Sequence, residues 1–199
     1  MNTDLELSRV LDSAVLGQGK HETRDEGMCA MELTAFLAGE RHTDQPACAC
    51  PALTAYTIGL NDPMPEVWRQ QLKPYLPLLI GSRDGREVER AELLARRACT
   101  VFAPVALDAA GLGEHAARLR GMTGATMAEL RAAASTASAN AAYAASAYAA
   151  YASAACAAAA SWDTVGPLAL QALDDAIAIG REDRPAPAPE IARLIERVP

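Results

Sequence analysis

"GMCAMELTAFLAGERHTDQPACACPALTAYTIGL", residues 27–60, decides the class of the fold, because it reads as helix, polar loop and helix. Cys29, Leu33, Phe36 and Leu37 share one helical face over residues 28–38, and Gly39 supplies the stop. Residues 40–50 are polar and loop-like. Pro51 suits the first turn of a second helix that runs to about Leu60, where Asn61-Asp62-Pro63-Met64-Pro65 breaks it. Neither run alternates apolar and polar residues as a half-buried strand does.

The same punctuation extends outward in both directions. Leu7, Val10, Leu11 and Ala14 predict a helix over residues 4–16, with Asp4 as its N-cap and Gly17-Gln18-Gly19 beyond its end. Residues 66–72 and 75–80 predict two shorter helices separated at Pro74, with Pro77 in the tolerant first turn of the second. Gly81 to Gly85 predicts a turn. Residues 86–102 predict an amphipathic helix that offers Val88, Leu93, Leu94 and Val101 to the core and ends before Pro104. Its arginines alternate with glutamates and read as a solvated face. A short helix is expected around residues 114–120. No segment shows strand alternation, so the expected class is all-α.

Residues 125–160 contain 21 alanines in 36 residues, with neither glycine nor proline. Alanine is the best helix former, and one helix over about residues 127–162 would extend roughly 50 Å. No charge falls between Arg131 and Asp163, a length that raises the question of a membrane. Alanine is only weakly apolar, and serine, threonine and asparagine recur, so no membrane span is expected. Leu168, Leu170, Leu173, Ile177 and Ile179 predict a return helix folding back after Gly166-Pro167. That helix covers about half of a partner twice its length, given equal rise per residue. The remainder predicts a homodimer with Tyr148 and Tyr151 near the contact, Tyr143 pointing elsewhere. Residues 181–189 read as a proline-rich linker and 190–198 as a short terminal helix. The expected organisation is a helical Cys/His domain over 1–122, an alanine-rich helix with its return helix over 123–182, and a proline-rich tail over 183–199.

The net charge is −7 and the pI near 5.0, a balance that argues against nucleic acid as a partner. The opening MNTDLELSRVLD lacks a basic segment followed by an apolar run, so no secretory signal is expected and a cytoplasmic protein is. In that compartment cysteines are thiols or metal ligands rather than disulfides, and five is an odd number.

Three of those cysteines and two of the three histidines fall within residues 21–50. His21, Cys29, His42, Cys48 and Cys50 are candidate ligands for a single Zn2+, since cysteine and histidine are its usual donors and four close a tetrahedral structural site. The spacing matches no standard C-x2-C finger. Cys29, however, begins one helix, Cys48 and Cys50 precede another, and helix N-termini favour thiolates. Set against this, Cys99 and Cys156 read as small core hydrophobes, the loop histidine as a turn residue, and a Cys29 disulfide with Cys48 or Cys50 as a lesser alternative. Glu32, one turn beyond Cys29, and Asp44, beside His42, are candidate partners of the ligands. In an enzyme Glu32 would be a general base beside a metal-bound water. A Cys29–His42 nucleophile pair is conceivable, but nothing resembles an oxyanion hole.

His21, Gly27, Cys29, Met31, Glu32, Leu37-Ala38-Gly39-Glu40, His42, Asp44, Pro46, Cys48 and Pro51 together make a motif H…GxCxME…LAGExHxDxPxC…P. By this motif, over residues 8–85, the chain resembles a group of small bacterial and phage-encoded proteins with an alanine-rich helical C-terminal region. The resemblance implies no activity. It implies that Cys50 stands outside the shared motif, which favours His21 as the fourth ligand. The expected function is a zinc-stabilised helical interaction or assembly module with a protein partner. The rivals are a zinc-dependent, hydrolase-like enzyme and a metal-free helical interaction protein.

Overall fold

A computed structural model describes residues 9–109, 111–130, 132 and 162–184. Among them, every regular element is helical apart from one isolated bridge, which pairs Leu16 in parallel with Met28. The all-α class therefore holds. After a helical stretch over residues 9–13, the elements are α1 (Ala30–Leu37), α2 (Pro51–Asn61), α3 (Glu66–Arg69), a 3-10 turn (Gln70–Tyr75), α4 (Leu76–Leu79), α5 (Glu87–Arg97), a π turn (Ala98–Phe102), α6 (Ala103–Ala109), α7 (Gly113–Arg120) and α8 (Trp162–Ala178). No described helix is long and apolar enough to cross a membrane.

α2 occupies the middle. It packs against α1 on one side and against α5 and α8 on the other, while α4 closes over α1. Leu53, Tyr56 and Leu60 of α2 are buried together with Leu33 of α1, Leu72, Leu76, Leu79, Phe102, and Leu173 and Ile177 of α8. Each fully buried leucine of this kind contributes roughly 1.5–3 kcal/mol. The Tyr56 hydroxyl donates to Ala169 O at 3.1 Å, so the most central aromatic also ties α2 to α8. α8 shares one continuous core with the helices of residues 9–102.

Four segments depart from the expected pattern. α1 is buried on nearly every face, including Glu32 and Thr34, because α2, α4 and the preceding loop enclose it. Pro74 does not separate a pair of helices; it sits inside the 3-10 turn, so α3 passes continuously into α4. Pro104 does not end the helix after α5. The Ala103 N–H bonds to Ala98 O, five residues back, and the helix resumes as α6 through Pro104. Val88, in the first turn of α5, stands on the solvent side, 70% exposed, rather than in the core. Gly166-Pro167 does not mark a fold-back either, because α8 runs through both residues. Proline there forfeits one backbone bond. The glycine is needed for another reason: a Cβ at Gly166 would stand 2.5 Å from the Trp68 ring. The expected alanine-rich helix, the dimer contact at Tyr148 and Tyr151, and the terminal helix of residues 190–198 fall outside the described residues, apart from helical residues 127–130 and 132.

The C-terminal end of α8 is held by a buried clasp. Arg90 of α5, read from sequence as belonging to a solvated face, is completely buried. Its guanidinium donates to both oxygens of Asp84 at 2.7 and 2.6 Å, to Ser82 O at 2.6 Å, and to Ala176 O and Ile179 O at 3.2 and 2.6 Å. Arg184 adds donations to Asp84 at 3.1 Å, Leu78 O at 3.1 Å and Ile177 O at 2.8 Å. The last carbonyls of a helix lack intrahelical partners, and two cations satisfy them here.

Candidate functional site

The residues singled out from sequence gather around Glu32. Cys29 is the N-cap of α1, with extended backbone, and Glu32 occupies the third helical position. The pair forms a capping box: the Cys29 side chain accepts from the Glu32 backbone, and the Glu32 carboxylate reaches back to the Cys29 N–H at 2.8 Å. The same carboxylate accepts the His21 N–H at 2.8 Å, and His21 Nδ1 lies 2.8 Å from Glu32 Oε2. His42 Nε2 lies 3.6 Å from Glu32 Oε1 and 3.0 Å from His21 O. A carbonyl can only accept, so Nε2 of His42 carries its hydrogen; an ionised Glu32 likewise assigns a hydrogen to Nδ1 of His21. Glu32 has no exposed surface. Burial works to raise its pKa, but the Cys29 and His21 N–H groups and the His21 ring outweigh it and hold the carboxyl below its ordinary value.

The loop over residues 16–28 is shaped to deliver His21 to this point. Gln70 takes both backbone groups of Leu16, at 3.0 and 3.1 Å. Asn61 accepts the Ala30 N–H at 3.1 Å and donates to Gly17 O at 3.0 Å. Asp62 accepts the Gly19 N–H at 3.0 Å. The His21 ring then lies against two glycines. A Cβ at Gly17 would stand 2.6 Å from His21 Nε2; one at Gly27, whose φ is +133°, would stand 3.0 Å from it. Gly17 and Gly27 therefore belong to the site, because a side chain at either would displace the imidazole.

The second loop has its own organiser. Glu40 accepts the N–H groups of Ala47 and Cys48, both at 2.7 Å, and Arg24 donates to Glu40 O at 3.1 Å with its guanidinium over the Phe36 ring. Asp44 is half-buried in this loop and takes no share in the hydrogen bonds to Glu32. Cys48 is set by Glu40, whereas Cys50 is buried at the start of α2, where its N–H donates to Ser82 Oγ at 2.8 Å beside Arg90. Burial pushes the Cys29 and Cys48 thiols up to about 12, with the charges of Glu32 and Glu40 adding to the effect.

Neither a protein-family model, nor a curated protein, nor a solved structure matches the chain.

Of the five candidate ligands, the structure brings His21, Cys29 and His42 to Glu32 and places Cys48 and Cys50 at other partners. Among the described residues, no group of three or more His, Cys, Asp and Glu side chains is disposed to hold a metal ion. One nitrogen of each histidine is engaged at the node, through His21 Nδ1 and His42 Nε2. His42 Nδ1 is buried with no hydrogen-bond partner. Cys29, Cys48 and Cys50 are free thiols. Reading from sequence missed Gly17, Asn61, Asp62 and Gln70 and placed Gly27 in the motif without its role against the His21 ring. A signal existed only for the glycines, which bracket His21 at Gly17-x3-His21-x5-Gly27.

Proposed function

We propose that this protein is a helical interaction protein whose fold needs no metal, with the Glu32 node bracing the loops in front of α1 and the alanine-rich segment providing the association surface. The observation that carries the reading is the enclosure of Glu32. Its buried carboxylate accepts two backbone N–H groups and the His21 ring, and the His42 ring stands beside it. An ionised group in the interior is tolerated only when its lone pairs are taken in this way. A carboxylate with three of its lone pairs taken and no exposed surface is not placed to activate a water, and the reading gives it no catalytic role.

Association rests on the sequence of residues 132–162, which carry no charge and are rich in alanine. Small side chains let helix backbones approach closely, and an uncharged surface of that length favours a second copy as its partner. Sedimentation tests it. The wild type is expected to be a dimer, and Ala149→Glu with Ala152→Glu, which keeps helix propensity while adding bulk and charge, is expected to give monomers. A wild type that stays monomeric at high concentration refutes the association surface.

A zinc-bound form is the second reading, favoured by the unpartnered His42 Nδ1. Cys29, His42 and Cys48, with His21 or Cys50, would be its ligands, and Glu32 would orient His21 through Nδ1. Such a form requires the thiols to lose their protons and the two loops to move together. Elemental analysis of protein purified without chelator decides between the readings. Absence of zinc supports the metal-free brace, and one zinc per chain supports the second form.

A further inference from the structure

We draw no further inference here: the strongest candidate, the exposed apolar surface at Val15 and Val67 on either side of the Gln70–Leu16 contact, carries nothing because nothing in the structure shows what covers it.

Discussion

Glu32 and Asp84 are both carboxylates set beside the start of a helix, but they are satisfied by different means. Glu32 is met by backbone N–H groups and imidazoles, all from residues 21–42, and stays within the N-terminal loops. Asp84 is met by two arginines, one from α5 and one from beyond α8, and joins segments 100 residues apart. The first is a local brace and the second a long-range clasp. Backbone dipoles and imidazole rings suffice for Glu32 because the loop wraps around it. Asp84 sits where a helix ends with unpaired carbonyls, and only a cation can serve carboxylate and carbonyls together. The comparison predicts that damage to the clasp is global and that damage to the brace is confined to the loops.

The largest effect is expected at Arg90. Arg90→Met keeps the bulk but leaves Asp84, Ser82 O, Ala176 O and Ile179 O short of a donor. Breaking a buried pair in this manner costs about 3–5 kcal/mol, to be read as a lower denaturant midpoint of the whole protein. Arg86→Ala, at an exposed neighbouring arginine, should leave the midpoint nearly unchanged. Equal effects of the two substitutions would remove the distinction between clasp and surface pair.

Glu32→Gln comes next. The amide keeps the shape but loses the charge that His21 and Cys29 address, at a cost of about 1.5–3 kcal/mol. Its signature is regional: amide exchange should quicken over residues 17–29, while α5 and α8 keep their protection. Uniform loss of protection would make the node a piece of the global core rather than a local brace.

These two sites also show what is legible in a sequence. Helices α1 and α2 were readable because apolar spacing, Gly39 and Pro51 all agree. The importance of Glu32 was readable too, since histidine and cysteine are scarce and their clustering is visible without coordinates. Their arrangement was not. Clustering cannot distinguish donors converging on a metal from donors converging on a carboxylate, and Cys50 was drawn away by Ser82, which lies 32 positions along the chain. Arg90 was misread for a different reason. In RDGREVERAELLARR it is one of several charges at ordinary surface spacing, and only the end of α8, 86 residues later, makes it a buried residue. The π turn after α5 was hidden likewise, because Pro104 is a reliable helix terminator only where the turn before it is regular.

A smaller effect is expected from acid. Burial works to raise the Asp84 pKa, but Arg90 and Arg184 outweigh it and bring it from an ordinary 3.8 to about 2, while Glu32 is lowered as well. A carboxyl with a depressed folded pKa contributes stability above its unfolded value and loses it as the pH falls through the folded one. Stability should therefore decline between about pH 4 and pH 2, with roughly 2 kcal/mol as the upper share of Asp84. Asp84→Asn should flatten that limb, and an unchanged slope would show that the clasp does not set the acid response.

The most direct test of the brace is amide exchange at His21 and Cys29 by NMR, on protein stripped of metal by a strong chelator. Both N–H groups point at Glu32, at 2.8 Å. The account predicts that they remain protected in the stripped protein, that added zinc does not change them, and that Glu32→Gln exposes both. Protection that vanishes with the chelator and returns with zinc would contradict it, because the loops would then be held by a metal and not by Glu32.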